Sequence, residues 1–248
     1  MESFGLLAIA FFLSFGVHLW STLVGGGGAI IIPALLFLGF SPQVAVATNR
    51  VGALSNIFAL FQFHRHGEVR WRVGLWLALF AGLGSAIGSI LLLQVEADVL
   101  ERGIAIIILL SLPMFLLRPK VGLKEKKVRL TKLKQAGGGA IMFFLGIIGG
   151  FFSATGVWFR YVYLFYYGMT FLQTAATSKI AGMFMLSFSL AVLIPAGIIN
   201  WPVAAAMFAG GSLGSWLSAK YSKKLGNEKI RYLFLAVMSF MALKILLF

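Results

Sequence analysis

The sequence predicts an all-α, polytopic membrane protein made of two inverted repeats, each a broken hairpin followed by three transmembrane helices. Three observations predict it. Sixty per cent of the 248 residues are hydrophobic and 11 per cent are charged, where a soluble domain carries about a quarter charged residues. The stretch Ala45-Val46-Ala47-Thr48-Asn49-Arg50 returns as Thr174-Ala175-Ala176-Thr177-Ser178-Lys179, in a register that also lays Gly39 on Gly168. With small shifts, Gly67, Trp71, Gly84 and Gly88 fall on Gly197, Trp201, Gly210 and Gly214, and the loops at matching places differ in charge.

The elements follow in order. A helix needs about 20 residues to cross the hydrocarbon of a bilayer, and residues 4–23 supply them. No charged leader or cleavage signature stands before a soluble domain, so this is read as a mature first helix. The run Gly25, Gly26, Gly27 and Gly28 is unfit for a helix interior, and 29–40 spans only about 18 Å as a helix. Together they form a broken hairpin with a glycine tip. Ser41-Pro42 opens a helix expected to run unbroken to 63. Trp71 anchors the next span, 72–94, whose Gly84-Ser85-Ala86-Ile87-Gly88 is a small-residue packing seam. A helix over 102–117 completes the first repeat, residues 1–117.

Residues 118–134 hold eight Lys or Arg and one Glu, and 118–136 is read as a solvated cytoplasmic linker. The second repeat, 137–248, has a first leg over 137–152, an interruption at 153–156 and a short helix over 157–168. A capping box (Thr170, Gln173) starts the helix to 195. Further spans follow from 201 to near 220 and over 230–248.

Charge fixes the orientation. Arg65, Arg70 and Arg72 mark a cytoplasmic loop, whereas the matching 196–200 is uncharged. Glu96, Asp98 and Glu101 make the third loop acidic, whereas the matching 220–231 is basic. The two copies therefore face opposite ways, the inverted-repeat plan of many secondary transporters. The net charge of +14 reflects this positive-inside pattern and no nucleic-acid partner is expected.

Arg50 and Lys179 each lie nine residues past a helix start (Ser41, Thr170), about 13 Å in, near mid-membrane. A charge there costs at least about 2.5–3.5 kcal/mol on insertion scales, and no carboxylate lies in any span to pair with it. The counter-ion left is an exchangeable anion. The competing reading is that each cation bonds to backbone carbonyls at a broken helix, or snorkels. Thr48, Asn49, Thr177 and Ser178 stand beside the cations and can hydrogen-bond oxyanion oxygens. The amides of Gly25, Gly26, Gly27 and Gly28, at the positive end of a short helix, suit an anion too. His18 is a candidate proton carrier, since no intramembrane acid is available, or a packed donor. Arg160 is a candidate third anion contact or gate, or a structural cation.

Gly26-Gly27-Gly28, Pro33, Gly39, Ala45-x-Ala47-Thr48 and Gly67-x-Val69-x-Trp71 resemble the TauE/SafE-type sulfite exporter family across essentially the whole chain. The second copy departs, with Thr155-Gly156-Val157 and Val162 where the glycine triplet and proline would recur. The resemblance implies export or uptake of sulfite, organosulfonates or related small organic anions across the cytoplasmic (inner) membrane of a prokaryote.

The expected activity is a secondary transporter of such an anion by alternating access; the alternative is an anion channel. An enzyme is not expected, because no His-Glu-x-x-His, no Gly-x-Ser-x-Gly and no buried carboxylate is found. With no cysteine, thiolate metal sites are excluded, and neither cofactor nor metal is expected. The partners expected are the anion, the lipid bilayer and a coupling proton, with a homodimer left open.

Overall fold

The computed structural model describes residues 3–100, 102, 103, 106, 122–126, 128, 130–153 and 155–247, and no side chain at 231 or 233–247. It is helical throughout. α1 is Phe4–Val24, α2 Gly28–Phe37, α3 Pro42–Ala53, α4 Asn56–Arg65 and α5 Trp71–Gln94. α6 is Lys132–Phe152 and α7 Gly156–Tyr161, followed by a π turn at Val162–Tyr166. α8 is Phe171–Leu193, and α9 is Trp201–Leu247, broken at Gly226. The helix expected over 102–117 lies, except for 102, 103 and 106, outside the described residues, as do 118–121, 127 and 129 of the linker.

Five stretches among the described residues are long and apolar enough to cross a membrane: α1, α3 with α4, α5, α6 and α8. Their burial pattern is that of helices in lipid. α5 turns Leu75, Leu79, Leu83, Ile87 and Ile90 outward and buries Gly74, Ala78, Ser85 and Ser89. Lipid tails are as apolar as leucine, so helix contact is driven by close packing of small residues. A side chain on Gly84 or Gly88 would strike the backbone of α6 at Phe143 or Ile147. One on Gly210 or Gly214 would strike α1 at Phe11 or Phe15. The seam read in the first half thus recurs in the second, each half's glycine helix lying against the other half's first helix.

Both hairpins are broken as the glycine and interruption signals predict. α1 stops at Gly25 (φ 93°), and α2 has 10 residues, about 15 Å. α2 closes on a left-handed Gly39, with Phe40 N–H to the Leu35 carbonyl at 3.1 Å and Gly39 N–H to Leu36 at 2.9 Å, a Schellman end. In the second half α6 ends at Ser153 with φ 58°. The expected single helix over 157–168 is instead α7 plus a π turn, in which Tyr167 N–H reaches the Val162 carbonyl at 3.1 Å. Wide turns of this kind accommodate side chains that a tighter helix would misdirect, here the fully buried Tyr163 among Leu77, Met142 and Ile180.

Two further differences are seen at helix ends, one set locally and one by a distant partner. α6 begins at Lys132, because the Thr131 hydroxyl caps it by accepting Lys134 N–H at 3.2 Å; residues read as linker are its first turn. The helix expected over 41–63 breaks between Ala53 and Asn56. There the Ser215 hydroxyl donates to the Ser55 carbonyl at 2.9 Å, and Asn56 Nδ2 donates to the Ala53 carbonyl at 3.0 Å.

The basic loops gather on one face. Arg70 pairs with Glu125 at 2.6 Å, Phe171 N–H bonds the Gly122 carbonyl at 2.9 Å, and Leu172 N–H bonds Asn227 Oδ1 at 2.9 Å. The opposite face joins the start of α3 to the end of α5 through Gln43 Nε2 and the Val95 carbonyl, at 2.9 Å.

Candidate functional site

The hairpin tips meet in the middle of the molecule. A Cβ at Gly28 would lie 2.5 Å from the Ser153 carbonyl oxygen, and one at Gly25 would lie 2.8 Å from Arg160 Nε. These glycines are required by contact, and Gly25 also by its positive φ. Around the tips is a cavity of about 180 Å³. Its lining includes His18, the four glycines Gly25 to Gly28, Asn49, Arg50, Asn56, Arg160, Ser178 and Lys179, and, among the described residues, no carboxylate. Phe159, Met183, Met185 and Leu186 form its apolar side. A 150 Å³ protein cavity accommodates benzene, so this one has room for a ligand of roughly six to eight heavy atoms.

The cations are held differently. Arg50, in the last turn of α3, donates to the Gly149 carbonyl at 3.2 Å, to that of Gly150, and to Ser85 Oγ at 3.5 Å. Arg160 donates to the carbonyls of Leu23, Thr22 (2.8 Å) and Ser21 (3.4 Å). Each arginine therefore caps the last turn of the other half's first helix, where the dipole favours a cation; of the carbonyls the two meet, Gly149 and Ser21 also accept a backbone N–H, from Ser153 and Gly25. Carbonyls carry no net charge, so the cavity stays positive. Among the described residues Lys179 Nζ donates only to Asn56 Oδ1, at 2.6 Å, leaving two of an ammonium's three donors without an acceptor there.

The polar candidates divide. Asn49 and Ser178 line the cavity. The Asn49 amide makes no hydrogen bond among the described residues, whereas Ser178 Oγ is turned to the Ala175 carbonyl at 3.3 Å. Thr48 and Thr177, expected to orient anion oxygens, lie outside the lining: they accept the backbone N–H of Asn200 and of Arg70, each at 3.1 Å. Gly26, Gly27 and Gly28 offer amides with no backbone acceptor among the described residues. His18 donates Nδ1–H to the Ser14 carbonyl at 2.8 Å, because a carbonyl can only accept. Among the described residues no group of three His, Asp or Glu side chains is placed to hold a metal ion.

Sequence reasoning missed Asn56, Ser153, Thr155 and the two methionines. Asn56 lies seven residues past Asn49, two helical turns along the same apolar stretch, and that spacing could have found it. The methionines carry no such signal.

An apolar-surfaced helical bundle enclosing a basic cavity where two helices break is the build of a polytopic membrane transporter. The Sulfite exporter TauE/SafE family profile matches residues 10–245, and the chain belongs to that family. It is 33% identical over 238 residues to the "Probable membrane transporter protein" of Haemophilus influenzae, covering 95% of this chain and 92% of the relative. It is 28% identical over 244 residues to the "Probable membrane transporter protein YfcA" of Escherichia coli K12, covering 97% and 90%. With the "Probable membrane transporter protein ORF9" of a Sinorhizobium species the identity is 26% over 246 residues, covering 98% and 94%. No solved structure matches the chain. The chain is a membrane transporter, not an enzyme.

Proposed function

We propose that this chain is a secondary transporter of a small sulfur-containing or organic anion, such as sulfite or an organosulfonate, working by alternating access in the inner membrane of a prokaryote. One observation carries the reading: three cationic side chains and a glycine tip line one cavity to which no described residue contributes a carboxylate. Lys179 is the principal charge, because its partner is a neutral amide and its remaining donors are unspent. Arg50 adds field from a fixed position, and Asn49 with the Gly26, Gly27 and Gly28 amides orients oxygens. The family supports sulfur-containing anions as the class to test first.

The reciprocal packing of the halves supports an inverted repeat, with exchange arising when one half rocks against the other. Equilibrium binding to purified protein, comparing sulfite, methanesulfonate, thiosulfate and acetate, tests the reading. Saturable uptake with counter-flow in proteoliposomes is expected. Single-channel currents would make the chain a channel, and no binding by any of the four would remove the site.

A further inference from the structure

We propose that His18 is the coupling-proton site of this transporter, and that anion and proton occupy the central cavity together. The inference rests on the anion-site reading above. His18 is 3% exposed, on the last half of α1, and its Nδ1–H is committed to the Ser14 carbonyl at 2.8 Å, with Ser14 Oγ at 3.3 Å. That bond fixes the tautomer, since the other nitrogen of a neutral ring must then be the acceptor. Nε2 has no hydrogen-bond partner among the described residues, and the side chain lines the cavity. A basic nitrogen is thus presented to the same space as the anion-binding groups.

The charges facing it decide what a proton on Nε2 meets. α8 contributes Lys179, α3 contributes Arg50 and α7 contributes Arg160; α2 contributes glycine backbone, and α9 packs here through Gly214. Every described charged group at the cavity is therefore positive. A bound anion is the one opposite charge available to an imidazolium in this space. Proton and anion binding are then mutually favourable, and by linkage each strengthens the other by the same factor. The transported unit becomes an anion with its proton, and the proton gradient can drive it.

The test uses calorimetry of purified wild-type protein with methanesulfonate, thiosulfate and sulfate, anions of strong acids that carry no titration of their own near neutrality. Repeating each titration in buffers of different ionisation enthalpy reads the protons exchanged. We expect uptake of up to about one proton per anion, and affinity that rises by up to about tenfold per unit fall in pH. His18→Gln should still bind the anion, with the uptake and the pH dependence gone. Binding without proton uptake in the wild type overturns the coupling while leaving the anion site standing. Uptake that persists in His18→Gln also overturns it, moving the proton to Lys179. If none of the three anions binds, the coupling falls; if sulfite and acetate fail to bind as well, the anion site falls with it.

Discussion

Thr48 accepts the backbone N–H of Asn200 at 3.1 Å, and this bond ties α3 of the first half to the start of α9 in the second. Its counterpart runs the other way: Thr177 of the second half accepts Arg70 N–H of the first, also at 3.1 Å. Thr48 and Thr177 match in the repeat, and Asn200 and Arg70 each precede a matching tryptophan. Each bond satisfies an amide at a helix start. Thr48→Val or Thr177→Val should lower stability by about 0.5–1.5 kcal/mol, the net worth of a part-buried hydrogen bond. Thermal unfolding in detergent checks this, and the corresponding serine variants should restore most of the loss.

The meeting of the hairpin tips gives a sharper steric prediction. Gly28→Ala puts a methyl 2.5 Å from the Ser153 carbonyl oxygen and should cost about 1–3 kcal/mol, as overpacking does, with anion binding lost as the tips part. Gly16→Ala, in the preceding helix α1, meets nothing within 4 Å and should be neutral or stabilise by about 0.5–1 kcal/mol. Unfolding midpoints and equilibrium binding of both variants separate the two outcomes.

Arg160 and Lys179 line one cavity but should fail differently. Arg160→Gln removes the cap from three carbonyls of α1 and should lower the unfolding temperature strongly. Lys179→Gln loses one bond, to Asn56, and should cost little stability while weakening anion affinity about tenfold or more. Comparable losses of both properties in both variants would contradict this division.

On the basic face, Glu125 joins the halves by accepting Arg70 at 2.6 Å and Gln173 at 2.9 Å. The Gln173 amide first, and then the Arg70 guanidinium, hold its carboxyl below the usual carboxylate range, with partial burial opposing them. A depressed acid stabilises the fold above its unfolded value, and that contribution is lost as pH falls through the lower folded value. The stability difference between wild type and Glu125→Gln should be constant near neutrality and shrink in acid. The pair is exposed on both sides, so the difference should stay within about 1 kcal/mol.

What the sequence made legible was what local chemistry dictates. The glycine tip after α1, the capping box at Thr170 and the charged loops each act over a few residues and are read from spacing alone. The repeat register placed Arg50 and Lys179 at matched positions, and both line the cavity. What it could not convey depends on partners from the other half. The break before Asn56 has only Gly52 as a local signal; the Ser55 carbonyl it exposes is taken up by the hydroxyl of Ser215, 160 residues away. The same is true of the arginines: that Arg50 and Arg160 cap α6 and α1 is a tertiary exchange between halves. Thr48 and Thr177 looked like ligands by their company in sequence, yet their hydroxyls face the other half's backbone.

In the proposed function a small anion binds through Lys179 in a cavity lined by cations, with no acid among the described lining residues. Equilibrium titration of sulfite, methanesulfonate, thiosulfate and acetate against wild-type protein and Lys179→Gln tests it most directly. The account predicts saturable binding of at least one of these anions by the wild type, weakened about tenfold or more in a Lys179→Gln protein that unfolds at a similar temperature. Equal affinity in the two proteins, or no binding by the wild type, would contradict it.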